Sequence, residues 1–467
     1  MSLKKTYYFF FLLGLFFLPF NSEPPSFMGF LGEYSRESSS LFFLIGIVLL
    51  IANDLFRGKV YLPFNKAPYN VFVVFLLVIF LSAVVNASNI TGYYFKQTNG
   101  WNRYINQSIS VLLSSVMFFY LFCNVIKDYG VVKVFVKIRK TFFYSLLIVT
   151  TYAFFEYLTI TYNLKFSKII VNLFDYLPFV KVKLDYNLSR ISSLTYEPPA
   201  LGMYLVTISG FMFSYILTSK KNYRFIPFFI VVLLTLLSKS RSAFVIILAQ
   251  ISVAIFYTYM VDRKFRGVFN KIMIIAAVLF ASILVFKTEA VVQAVNSRIQ
   301  ALNFADTKYS TNNYSVSNKS RLGIQYANYQ VFLENPIFGV GWGQQTYESK
   351  DKYPKWATKN NYEFPQIYLN ENIKSFPPGY NLYLRTLTET GLIGFIVFSA
   401  FIGLVFYYVL KFIKNTKKEH KYIPLTMLIA FVGFFLNWLQ IDSFRIFGFW
   451  LCLSLVIHIK KLNRCHV

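Results

Sequence analysis

Asn335-Pro336-Ile337-Phe338-Gly339-Val340-Gly341-Trp342-Gly343 is a turn set inside a polar segment that runs from about Lys287 to Tyr380. That segment is the only long polar stretch of the chain. Before the turn lies a stretch of helical character, Asn318 to Glu334, and the segment closes at Pro377-Pro378-Gly379-Tyr380-Asn381, where an apolar run begins. Everything on either side reads as membrane. The expected fold is therefore a helical bundle in a bilayer, with one large loop capping a site at its outer end.

Composition supports this reading. The 467 residues are 56% hydrophobic and 20% aromatic, with a mean hydropathy of +0.49. Charged residues make up 14%, against about 25% in soluble domains. Apolar runs of about 18 residues or more recur, as in transmembrane helices. The runs are continuous rather than alternating, which excludes a β-barrel. The fold class is all-α and polytopic, with about twelve spans near 6–21, 40–56, 68–88, 105–127, 139–161, 196–218, 224–238, 242–260, 268–287, 381–411, 422–440 and 443–460. Three parts follow: nine spans in 1–287, a periplasmic loop with an amphipathic helix in 288–380, and three spans with a cytoplasmic tail in 381–467. Lys4 and Lys5 ahead of Tyr7–Phe20 resemble a signal peptide without an Ala-x-Ala site, and so read as an uncleaved first span.

The formal charge of +27 falls mostly in short connections between spans. No nucleic-acid-binding motif accompanies it, so nucleic acid is excluded as a partner and the positive-inside bias is the reading. The basic groups Lys4/Lys5, Arg57/Lys59/Lys66, Lys127–Lys140, Lys220/Lys221/Arg224, Arg263/Lys264/Arg266, Lys411–Lys421 and Lys460/Lys461/Arg464 occupy alternate connections. They place both termini in the cytoplasm and the long loop, with the 162–195 connection, outside. Cys123, Cys452 and Cys465 all lie outside the loop, so no disulfide staples it.

The outward cations Arg190, Lys239, Arg241, Arg298 and Arg321 then stand out. Lys239 and Arg298 also fit residues snorkelling at helix ends. Arg190 leads Ile-Ser-Ser-Leu-Thr-Tyr196-Glu197-Pro198-Pro199, where two prolines interrupt backbone pairing at the start of a span. Glu197 there either faces a wet cavity or a cation, or simply favours the helix dipole. Ser238-Lys239-Ser240-Arg241-Ser242 packs two cations and three hydroxyls into five residues, a compact anion site. Arg321, Gln325 and Asn328 share a helical face, with Val331 and Phe332 toward the membrane. Gly339 and Gly341, with no preceding strand, are no dinucleotide fingerprint; they suit a close backbone approach. Arg385 and Glu389, four residues apart, can pair internally. Trp342, Tyr347, Tyr353, Trp356, Tyr362 and Tyr368 suit sugar rings, or an interfacial aromatic belt. No Asp-x-Asp pair suggests a nucleotide-sugar enzyme with a divalent ion.

In their order, these motifs resemble the bacterial O-antigen polymerase and O-antigen ligase superfamily: Arg190 with Glu197-Pro198, Ser240-Arg241-Ser242-Ala243, Arg321, Asn335-Pro336-x-x-Gly339-x-Gly341, and Asn381-x-Tyr383-Leu384 with Glu389-x-Gly391-x-x-Gly394. The resemblance implies a membrane-embedded glycosyltransferase that takes undecaprenyl-diphosphate-linked glycan as donor and acceptor, at the outer face of the inner membrane. It implies neither metal nor cofactor, membrane lipids as surroundings, and a chain-length regulator as a partner to look for. Two arginines that Arg190 and Arg321 match would bind the donor diphosphate. Ligases of the family carry His before the Asn of Asn-x-Tyr-Leu. Here that residue is Tyr380, and His420, His458 and His466 fall on the cytoplasmic side. A polymerase with Glu197 as the base is the expectation, with Arg190 and Arg321 beside it. Arg241, Lys239, Tyr380, Asn381, Gly339, Gly341 and Trp342 are expected to bind substrate. A ligase, or a transporter of the lipid-linked sugar, are the alternatives.

Overall fold

The computed structural model describes residues 3–23, 25–186, 188–261, 267 and 313–459. The expected ninth span (268–287), Arg298, the basic loop at Arg263–Arg266 and the tail from Lys460 lie outside the described residues.

The chain is a helical bundle: α1 (Leu3–Phe16), α2 (Ser38–Arg57), α3 (Tyr69–Val85), α4 (Gly100–Tyr129, with a wide π-type turn at Leu113–Phe118), α5 (Val131–Tyr162), α6 (Lys165–Leu173), α7 (Pro198–Thr218), α8 (Ile226–Leu237), α9 (Arg241–Val261), α10 (Asn313–Glu334), α11 (Leu382–Asn415), α12 (Tyr422–Asn437) and α13 (Phe447–Ile459). Among the described residues, seven helices are long and apolar enough to cross a membrane, namely α2, α4, α5, α7, α9, α11 and α12 with the turn before it. The chain is a multi-pass membrane protein. Eleven of the twelve expected spans coincide with a helix, but not all are of spanning length. Pro227 and the turn at Ser238 confine α8 to 12 residues, about 18 Å at 1.5 Å per residue against a core of about 30 Å. The irregular stretch 438–446 delays α13 in the same way.

The core is aromatic. Phe43 of α2, Phe118 and Phe122 of α4 and Phe447 of α13 pack together, mostly edge to face. A second cluster joins Phe72, Phe398, Phe444, Phe449 and Trp450. Trp342 enters this cluster from the long loop. It is fully buried, stacks on Phe444 at 5.9 Å, and carries the Arg385 guanidinium 4.4 Å above its ring. Edge-to-face and cation–π contacts add to the area such rings bury.

The loop is fixed by a break in α11. Gly391 sits at φ 65° and ψ −167°, a conformation nearly confined to glycine that costs other residues about 1–3 kcal/mol. The freed amides of Leu392 and Ile393 donate to the carbonyls of Pro336 and Ile337, at 2.8 and 3.4 Å. In return, the amides of Val340 and Gly341 donate to the carbonyls of Thr388 and Glu389, at 3.1 and 3.0 Å. Irregular backbone at membrane depth is tolerated when it is paired in this way. Gly391→Ala is expected to lower the thermal midpoint sharply in detergent, because a Cβ there would lie 2.1 Å from the Ile337 carbonyl oxygen. An unchanged midpoint would show that the joint carries no stability.

A small hairpin, β1 (Tyr94–Phe95) and β2 (Thr98–Asn99), ties down the rest of the loop. Its fully buried Lys96 donates to the carbonyls of Ile367, Asn370 and Ile373 at 2.7, 2.8 and 3.1 Å. At the far end of the bundle, Lys4 pairs with Asp128 at 3.2 Å, Arg139 donates to Thr218 at 2.7 Å, and His458 meets the Tyr61 hydroxyl at 3.3 Å.

Candidate functional site

Opposite that far end, a cavity of about 570 Å³ opens among the starts of α2, α7, α9 and α13 and the first turns of α10. That volume suits a small-molecule site. Its wall includes Arg190, Glu197, Lys239, Arg241, Arg321 and Tyr380. It also includes Glu33, Arg36, Glu37, Asp442 and Arg445. Six cations thus face four carboxylates across one space.

Each wall is built by local sequence. Glu197 precedes Pro198 and Pro199, which take the first helical positions of α7, where a missing N–H costs nothing. The segment before it is held by Glu156 of α5, a fully buried carboxylate that accepts from the amides of Ser192 (3.0 Å) and Ser193 (2.8 Å). Lys239 Nζ donates to the Leu188 carbonyl at 3.2 Å, and the Ile191 amide reaches the Leu237 carbonyl at 3.5 Å. These bonds bring Arg190 to the Lys239–Arg241 turn. Gly202 lets α7 and α9 approach closely, since a Cβ there would lie 2.5 Å from that of Ala243.

Arg190 pairs with Asp185 at 3.2 Å. Arg445 lies 3.5 Å from Glu33 and donates to its backbone carbonyl. Arg36 sits 5.8 Å over the Tyr196 ring. Arg321 sits 5.0 Å over the Tyr380 ring. Tyr380 itself is at φ 56°, and its hydroxyl meets that of Tyr368 at 2.9 Å. Lys239 has a positive φ as well, 51°; strained backbone of this kind gathers at functional sites. Burial raises the Glu197 carboxyl above its ordinary value, while Arg321, Arg190 and Arg36 pull the other way. Burial also raises Glu37, with Arg445 opposing. At Glu33 burial raises the pKa too, but Arg445, Arg385 and the bonds from Gln107 and Ser110 outweigh it and hold the group low.

Several expected residues lie elsewhere. Gly339 and Gly341 do make a close backbone approach, but to the chain's own α11; a Cβ on Gly339 would fall 2.5 Å from the Thr388 carbonyl. Trp342 is in the core. Asn381 caps α11, accepting from the amides of Tyr383 and Leu384 at 3.0 and 3.1 Å. Tyr347 and Tyr368 are buried as well, so packing rather than sugar stacking occupies them. Val331 is fully buried rather than membrane-facing. Arg385 and Glu389 close the internal pair at 2.9 Å; Arg385 also reaches the Asp442 carbonyl at 2.8 Å and Gln107 at 2.7 Å, bracing the cavity wall from behind. Arg36, Glu33, Glu37 and Arg445 were not singled out by the sequence. Glu33, Arg36 and Glu37 fall in a connection on the same side as Arg190 and Arg321, while Arg445 falls at the start of the expected last span.

The Tyr380 contact makes a separable prediction for Arg321. Tyr380→Phe keeps the ring under the guanidinium and is expected to retain the affinity of the cavity for an anionic ligand. Tyr380→Leu removes it and is expected to weaken that affinity by about 2- to 30-fold, the range of a cation–π contact. Equal affinities for the two variants would count against the contact.

The geometry defines a basic, carboxylate-bearing cavity at one end of a multi-pass helical bundle. Residues 225–399 match the family model described as O-antigen ligase. The matched stretch takes in the Lys239–Arg241 turn, α10, the glycine turn and the break at Gly391, while Arg190 and Glu197 lie before it. No curated protein matches the chain.

Proposed function

We propose that the protein is a polysaccharide polymerase that joins undecaprenyl-diphosphate-linked repeat units at the periplasmic face of the inner membrane. The observation that carries this reading is that Arg190, Lys239, Arg241 and Arg321, from three separate segments, line one cavity with Glu197. Guanidinium groups bind a diphosphate bidentately and stay charged when partly desolvated. In this reading Arg190 and Arg321 hold the donor diphosphate, assisted by Arg241 and Lys239. Glu197 takes the proton of the acceptor hydroxyl. The hydroxyl oxygen bonds to the anomeric carbon as the bond from that carbon to the diphosphate oxygen breaks. The leaving undecaprenyl diphosphate keeps the electron pair, and the arginines stabilise its charge.

The twelve-span topology, with both termini cytoplasmic and residues 288–380 as the periplasmic loop, belongs to the same proposal. The segregation of Lys4 and Arg139 to the end away from the cavity supports it. The description of the matching family as a ligase favours a second reading, transfer of finished glycan to lipid A core. Against that reading, neither of the described histidines, His420 and His458, lines the cavity. Purified protein in vesicles, given lipid-linked repeat units alone, is expected to form ladders of longer chains. Transfer only when lipid A core is added would establish the ligase, and movement of intact substrate without new glycosidic bonds would establish a transporter.

A further inference from the structure

Helix α10 carries an apolar stripe that the described residues leave about half exposed. Leu322, Tyr326, Tyr329 and Leu333 recur at helical spacing, and all are between 40% (Leu322) and 51% (Leu333) exposed. The opposite face is buried, with Ala327 and Val331 at 0%. A soluble loop would set polar residues on its open face, so a stripe this long calls for a cover.

Three observations identify the cover as lipid. First, the stripe is continuous with a surface that already faces the bilayer. It runs on through Ile337, 58% exposed, whose carbonyl accepts from Ile393 of the membrane-spanning α11; Leu392 and Ile396 of that helix are exposed too. Second, α10 is held against the membrane helices both at its third turn, which bears Arg321, and at its C-terminal end. Arg321 shares the cavity wall with the starts of α7, α9 and α13, and the turn after α10 is bonded to the end of α3, through Ser82 to the Phe338 carbonyl (2.7 Å) and Asn86 to the Gly339 carbonyl (3.0 Å). The helix therefore lies across the end of the bundle. Third, the two central residues are tyrosines, and Tyr326 meets Trp356 edge to face at 6.4 Å; these side chains favour the boundary between head groups and acyl chains.

We infer that the Leu322–Tyr326–Tyr329–Leu333 stripe lies in the bilayer boundary on the cavity side, as an interfacial helix. The helix that bears Arg321 is thereby held at head-group depth. The inference concerns the membrane alone and stands whatever the reaction.

The test places a single environment-sensitive fluorophore on cysteine. Cys465→Ser is the background, because Cys123 and Cys452 are fully buried. Leu322→Cys and Leu333→Cys are compared with Ile396→Cys in α11 and Glu371→Cys on the exposed loop, all in phosphatidylethanolamine and phosphatidylglycerol vesicles. At 322 and 333 the expected result is blue-shifted emission, quenched by brominated lipid to an extent approaching Ile396→Cys and shielded from iodide. Iodide quenching like that of Glu371→Cys, without quenching by brominated lipid, would overturn the inference. Shielding from both quenchers would overturn it too, by assigning the stripe to a protein partner.

Discussion

Arg321→Ala is expected to cut the formation of long chains by about 10²- to 10³-fold, the usual effect of removing one preorganised donor to a developing charge. The protein should still insert and purify normally, because Arg321 is exposed on α10 and its contact is with the face of Tyr380 rather than the core. Arg321→Lys restores the charge without the two-pronged geometry and is expected to recover part of the activity. The measurement is chain length and initial rate with purified variants in lipid vesicles. Wild-type chain length in Arg321→Ala would remove this residue from any role in holding the leaving group. The comparison needs several pH values, since Arg321 also lowers the Glu197 pKa.

Glu197→Gln is expected to cost about 10²- to 10⁴-fold in rate, the span of general acid–base catalysis, with donor affinity largely kept. The pH profile gives the sharper test. A base works ionised, so activity should fall as the pH drops through the Glu197 pKa. Burial raises that pKa, so the acid limb should lie above the ordinary glutamate value of about 4.3. Arg36 is one of the cations holding it down; Arg36→Met should therefore move the limb to higher pH. Glu197→Gln should abolish the limb altogether. A limb that persists unchanged in Glu197→Gln would assign the proton transfer to another group.

Much of this was readable from the chain itself. Continuous apolar runs mark helices because the bilayer leaves the backbone no other partner, and the described helices follow those runs. The ends were less legible, since Pro227 and the irregular 438–446 stretch shorten helices in ways hydropathy does not register. Arg190, Glu197, Arg241 and Arg321 were visible as charges within patterned outer turns. Arg36 and Arg445 were not, because a single arginine beside an apolar run looks like any snorkelling residue until the fold sets it against Glu33 or Tyr196. Gly339, Gly341 and Trp342 show a different limit. Sequence reveals that a backbone must come close to something, but not whether that something is a ligand or the chain's own helix.

The joint at Gly391 bears on how the protein is made. Its halves, Pro336–Gly341 and Thr388–Ile393, are separated by the whole second part of the loop. The first half leaves the ribosome before its counterpart exists. It must therefore wait, with its amides and carbonyls on water, until α11 has been threaded into the bilayer. Closure of this joint is then a late step in biogenesis, and a nascent chain halted before residue 388 would present an undocked loop to the proteases of that compartment.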